Sequence, residues 1–514
     1  MSKTIIIIGA GLAGLSAALQ AAENGCNVKL VSSLPSERAQ SVMAEGGINA
    51  ALNTKDENDS PEEHFTDTIK AACGLADPNA VWGMTQAAPE LVHWLLKLGV
   101  KFNMSGHDDV DLRNFGGQKK KRTAFAQSDT GKQIMTAMID AVRRKEASGM
   151  VERFSHHSFL TLRLCGNICC GCVIRDEYSQ ETVELPGDAV IVATGGMHGL
   201  FGNTTGSLSN TGEVTAELFR LGVPLANGEM IQYHPTTVKC GGKRMLISEA
   251  ARGEGGRLFA TKDGKRWYFM EEKYPELGNL MPRDITAREI WNVSHESEVF
   301  LDMTEISEEI ISNKLSGLAD DCMTYLHKDI RKEPVSVLPG IHYFMGGILV
   351  DEQHRTPIQN LYAAGECCAQ YHGANRLGGN SLLGALYGGR VAAKSACEQA
   401  DVVDLSCATQ IDFPPASQIS EIKQLNKVMQ ETMGVVRNEN TLLNGIQTVQ
   451  ALTGNLPLLG MAVLKSALAR KESRGAHWRE DYPKSNDDDY LKTTVARFDG
   501  KQIQISFVPV PERR

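Results

Sequence analysis

The feature that most constrains this chain lies in its first fourteen residues. Thr4 to Ile8 is an unbroken β-branched run that passes directly into Gly9-Ala10-Gly11-Leu12-Ala13-Gly14, and helix-forming Leu, Ala and Gln then continue to Gly25. A strand, a glycine turn and a helix in that order open a dinucleotide-binding unit. Gly9 makes the tight turn, Gly11 admits a pyrophosphate against the backbone, and Gly14 lets helix and strand pack. The free N–H groups at the helix start then face the diphosphate. Gly25 reads as the helix stop and Asn27 to Val31 as a second, parallel strand. This β-α-β opening predicts an α/β chain with a Rossmann-like domain. The simplest fingerprint ends the second strand with an acidic ribose ligand, whereas Ser32 and Ser33 stand there. Their hydroxyls can contact ribose, and at this point FAD and NAD are both open.

A length of 514 residues allows roughly three folding units. Asp188 to Ala193 and Leu361 to Ala364 are further apolar strands running into glycines, so the sheet is assembled from segments far apart in sequence. Residues 232 to 345 are richer in charge and aromatics and read as an inserted domain. Ser417 to Glu472 is helical in pattern, followed by Asp487-Asp488-Asp489 and a polar tail. The expected division is a nucleotide domain from 1–231 and 346–405, an α+β capping domain over 232–345, and a C-terminal helical domain with a tail over 406–514.

Apolar residues make up 42% and charged residues 22%, which excludes a disordered chain. The net charge of −9 offers no basic field for nucleic acid, so an anionic substrate needs locally gathered cations. No apolar run is long enough to span a membrane, and the opening lacks a small-residue cleavage site. The expected location is the cytoplasm, or the inner face of a membrane reached through a partner. The 12 cysteines suit free thiols in a reducing compartment. Cys165, Cys169, Cys170 and Cys172 form one dense cluster inside a hairpin pattern; without a second ligand pair they read as strand-packing thiols, and no metal site is expected.

Ala44-Glu45-Gly46-Gly47-Ile48-Asn49-Ala50, Ile191-Val192-Ala193-Thr194-Gly195-Gly196, Tyr362-Ala363-Ala364-Gly365-Glu366 and Ser473-Arg474-Gly475-Ala476-His477 occur in this order. With them the chain resembles, nearly end to end, the fumarate reductase and succinate dehydrogenase flavoprotein family, which includes L-aspartate oxidase. The resemblance implies FAD, with Glu366 on its ribose and Gly46, Gly47, Ser381 and Leu382 along the isoalloxazine. Covalent members of the family carry a flavin-linked His, and here the matching segment is Gln40-Ser41-Val42-Met43-Ala44-Glu45-Gly46-Gly47. Gln40 cannot form that bond, so the FAD is expected to be noncovalent, a state that favours alkene reduction over succinate oxidation.

For the substrate, the resemblance places His234 and Ser248 on one carboxylate and His342 and Arg376 on the other, with the double bond against flavin N5. Arg supplies a planar fork and His a directed donor, the groups two carboxylates require. Arg283 would donate the proton, resupplied through Glu249 and Arg252; a buried structural ion pair is the other reading of the last two. Aspartate oxidases usually carry a Glu where Phe115 falls, and burying an ammonium beside a phenyl ring without a partner is costly. The expectation is therefore fumarate reduction, with succinate dehydrogenase, L-aspartate oxidase, a reductase of a related unsaturated acid and a vestigial electron-entry subunit as alternatives. Electrons would come from an iron–sulfur subunit or a soluble carrier.

Overall fold

The computed structural model describes residues 2–106, 109–400, 413 and 418–514. A five-stranded parallel sheet carries the nucleotide end, in the spatial order Leu361–Ala363, Ala189–Val192, Thr4–Ile8, Asn27–Ser32, Val151–Ser155. Ile5 to Ile8 are buried, as a central strand covered on both faces requires. The helix Leu12–Glu23 follows the glycine turn, and Gly25 just past its end has φ +79°, the left-handed conformation that stops it. This helix packs along Asn380–Gln399 over alanines and leucines of one shared core.

The region 232–345 has a core of its own, including Leu258, Phe269, Ile290 and Leu301, to which Phe115 is added from outside it. It contains the antiparallel sheet Lys243–Leu246, Ile231–Cys240, Leu338–Phe344 and the four-stranded sheet built on Arg257–Lys262 and Val299–Asp302. Short helices Glu249–Gly253 and Arg283–Val293 run between them.

The C-terminal part departs from the sequence expectation. Helices Ile419–Thr432, Glu439–Val449 and Asn455–Ala469 are present, while Ser417 and the boundary expected at 405/406 lie outside the described residues. The polar tail is instead a β-hairpin, Lys492–Phe498 with Ile503–Pro509. Its first strand pairs with Leu225–Ala226 and so joins a five-stranded sheet with Gly347–Leu349 and Cys368–Ala369. The alternation Ile503-Gln504-Ile505-Ser506-Phe507 was the available signal. The cysteine-rich segment is the expected hairpin, His157–Cys165 with Ile168–Asp176. Cys169, Cys170 and Cys172 are buried free thiols, but Cys165 is disulfide-bonded, a correction to the all-thiol reading. Among the described residues no helix is long and apolar enough to cross a membrane, and no cluster of His, Cys, Asp and Glu suits a metal.

Candidate active site

One cavity of about 540 Å³ runs from the glycine turn to the capping region. At its nucleotide end the glycines are required by contact. Gly9 has φ +110°, and a Cβ there would stand 2.2 Å from the Ala193 carbonyl oxygen; a Cβ on Gly14 would stand 1.8 Å from that of Gly9. Gly14 therefore packs helix against turn and does not line the cavity, whereas Gly11 lines it and its nearest neighbour would be Ser41 Oγ at 3.6 Å. Ser41 Oγ accepts the Leu12 N–H at 3.2 Å, and Gln40 Oε1 accepts the Ser207 N–H at 2.6 Å. Ser32, Ser33, Ala44, Ala193, Thr194 and Gly195 line the same wall. Opposite, Ser381 and Leu382 open the helix Asn380–Gln399 behind Gly379, whose φ is +84°. Glu366 lines the cavity and accepts the Phe344 N–H at 3.1 Å.

Gly46 and Gly47 mark the passage to the other end. A Cβ on Gly46 would meet Phe115 Cζ at 2.9 Å, and Gly47, with φ +135°, would meet the Ala124 carbonyl oxygen at 2.5 Å. Arg113 holds this loop: its Nε donates to the Gly46 carbonyl at 3.0 Å, and its guanidinium lies 4.2 Å over the Phe125 ring. Nothing in the sequence singled out Arg113.

The other end of the cavity is lined by polar side chains. His234 is buried and His342 half-buried, with ring centroids 5.1 Å apart. His342 Nδ1 pairs with Thr205 Oγ1 at 2.8 Å, whereas His234 Nε2 has no protein partner. Burial first, and the Arg283 charge second, hold both imidazoles well below their usual pKa, so both are neutral. Arg376 is buried with its guanidinium 4.3 Å from the Tyr343 ring centre, and its Nε is unpartnered. Burial lowers its pKa to about 9. Ser248 caps the helix Glu249–Gly253, accepting the Ala250 N–H.

Between these groups stands a three-residue ion network. Glu249 Oε2 accepts from Arg283 Nε at 2.8 Å and from its second terminal nitrogen as well. Glu249 Oε1 accepts the Gly116 N–H at 3.0 Å and lies 3.4 Å from Arg252. Burial pushes the Glu249 carboxyl up, but Arg283 and Arg252 together outweigh burial and keep it below the usual carboxylate range. Arg252 sits behind Glu249, does not line the cavity, and donates to the Asn279 carbonyl at 2.6 Å. Sequence reading missed the part played by Gln232. It accepts from Arg283 at 3.0 Å and donates to Asn375 Oδ1 at 3.0 Å and to the Arg376 carbonyl at 2.8 Å. Its signal was spacing, because residues two apart on a strand, Gln232 and His234, share a face.

A long cavity lined by the helix start behind the glycine turn and by a second helix start, that of Asn380–Gln399, fits a dinucleotide with a fused-ring head. A buried set of unpaired donors lies beyond that head. Together these define a flavin-dependent oxidoreductase. The chain belongs to the fumarate reductase and succinate dehydrogenase flavoprotein family: the FAD binding domain model matches residues 4–382, and the fumarate reductase flavoprotein C-terminal model matches 452–513. It is 38% identical to the succinate dehydrogenase flavoprotein subunit of Bacillus subtilis, over 100% of this chain and 98% of that protein. It is 32% identical to the 8-methylmenaquinol:fumarate reductase flavoprotein subunit of Wolinella succinogenes, over 100% of this chain and 92% of that protein. Among solved structures, an E. coli quinol fumarate reductase FrdA variant superposes with a TM-score of 0.90 at 27% identity, covering 99% of this chain and 97% of that one.

Proposed function

We propose that this protein interconverts fumarate and succinate, working mainly as a fumarate reductase, with noncovalently bound FAD. FAD held along this cavity would supply two-electron, hydride-transfer chemistry. The chain's residues do the rest. His234 and Ser248 take one carboxylate and His342 and Arg376 the other; neutral imidazoles donate N–H groups while the Arg cation supplies a fork. Arg283, anchored by Glu249 and Gln232, holds a proton toward the alkene, and its fixed charge stabilises the enolate-like transition state. Glu249 and Arg252 then resupply that proton. The observation that carries this reading is the buried Arg283–Glu249–Arg252 line aimed at a cavity whose facing donors, His234 Nε2 and Arg376 Nε, lack protein partners. Phe115, 1% exposed and against Gly46, puts an apolar ring rather than a carboxylate at its position.

In this reading the capping domain is 232–345, set between 1–231 and 346–405 of the FAD domain. The chain works in the cytoplasm, receiving electrons from a docked iron–sulfur subunit or a soluble carrier; the relatives' names as flavoprotein subunits support a partner. Two anaerobic additions test the function: fumarate to the chemically reduced protein restores the oxidised flavin spectrum, and L-aspartate leaves the oxidised protein unbleached. The reverse pair of results would assign an amino-acid oxidase.

A further inference from the structure

Outside the cofactor cavity, two thiols from opposite parts of the sequence meet. Cys26 lies in the turn between the helix Leu12–Glu23 and the strand Asn27–Ser32, and Cys397 lies in the last turn of the helix Asn380–Gln399. Their sulfurs are 3.0 Å apart, and both are free thiols. A disulfide bond is about 2.05 Å long, so the bridge needs the sulfurs to move by only about 1 Å. The site is accessible from one side: Cys397 is half-buried, and a Cβ on neighbouring Gly25 would have nothing within 4 Å. Lys3 is fixed beside the pair, donating to the Cys397 carbonyl at 2.7 Å, although burial and the Cys26 thiol outweigh its charge and push the Cys397 thiol up to about 12.

We propose that Cys26 and Cys397 form a reversible disulfide, a redox modification site that staples the far ends of the two helices whose N-termini line the cofactor cavity. The oxidant is a peroxide. One thiolate attacks a peroxide oxygen, the O–O bond breaks, and a sulfenic acid and water result. The second thiol attacks that sulfur, the S–O bond breaks, and a second water leaves. Two thiols thus lose two electrons and two protons while hydrogen peroxide becomes two waters. The other free cysteines are placed differently. Cys169 and Cys322 are buried, whereas Cys397 is half-buried.

The test uses the flavin-loaded protein treated with equimolar hydrogen peroxide, digested without reductant and analysed by mass spectrometry. The expected result is a peptide pair linked through Cys26 and Cys397, lost on adding dithiothreitol and absent from the C397S protein. The oxidised wild type should also release its flavin several degrees above the reduced wild type, a shift missing from C397S, which keeps the separate bond at Cys165. Both cysteines remaining open to iodoacetamide after peroxide would overturn the proposal, as would their conversion to sulfinic acids without a link. An equal release temperature with the link present would overturn the stapling role.

Discussion

The two ends of the cavity are built from different materials. The nucleotide end is backbone: Gly9, Gly14 and Gly47 are fixed by approaches that leave no room for a Cβ, and two helix starts supply the polar surface. The substrate end is side chain: His234, Ser248, Glu249, Arg283, His342 and Arg376 converge from five separate stretches, and two of their donors, His234 Nε2 and Arg376 Nε, have no protein partner. Buried unpaired donors each cost about 1–3 kcal/mol, so the second end stores a demand for an anion that the first does not. Cofactor retention and catalysis should therefore respond separately to mutation.

Replacing Arg283, the proposed proton donor, should separate them most sharply. Arg283→Ala should lower kcat by about 10³-fold or more while FAD stays bound, since positioned proton transfer contributes about 10² to 10⁴; flavin absorbance and turnover measured on one sample check both halves. Near-normal turnover would remove Arg283 from the chemistry. Gln232→Leu should cost less, about tenfold in kcat, because a hydrogen bond to a charged group contributes about 1.5–3 kcal/mol and Glu249 still holds the guanidinium. The measurement is kcat beside KM, with FAD content unchanged.

A pH series sharpens the comparison further. Arg376 must be a cation to hold a carboxylate, and burial has brought its pKa down to about 9. Substrate affinity should then be retained below that value and fall as pH rises through it, seen as a rising KM, while the flavin spectrum does not change. His234 and His342, both held neutral by burial, should produce no break between pH 6 and 8. The smallest effect concerns the nucleotide end. Gln40 is hydrogen-bonded through Oε1 to Ser207 and has no nucleophile to offer the flavin, so acid-precipitated protein should release all its FAD. Fluorescent flavin left in the washed pellet would contradict this.

The difference between the ends also explains what could be read from the chain. Gly9-Ala10-Gly11-Leu12-Ala13-Gly14 announces its role within six residues, because its requirement is local geometry. Nothing local joins Gln232 to Arg283, 51 positions apart; only the tertiary fold does, and the resemblance to a family supplied the rest of the set without it. Arg113 was passed over for a similar reason, since its partners are the carbonyls of Glu45, Gly46 and Gln127, which leave no mark on side-chain pattern. At the C-terminus, residues 503 to 509 looked like tail because they are largely exposed. Their alternation becomes meaningful through Lys492–Phe498, which carries the buried Val495 and Ala496 into a sheet with Leu225–Ala226.

The central claim is that the unpaired donors form a site for two carboxylates. The most direct measurement is anaerobic stopped-flow reoxidation of the reduced flavoprotein by fumarate and, separately, by crotonate, which keeps the alkene and one carboxylate but replaces the other with a methyl. Fumarate should reoxidise the flavin at least about 100-fold faster at equal concentration, the worth of two lost charge-assisted contacts. Equal rates for the two acids would contradict the account.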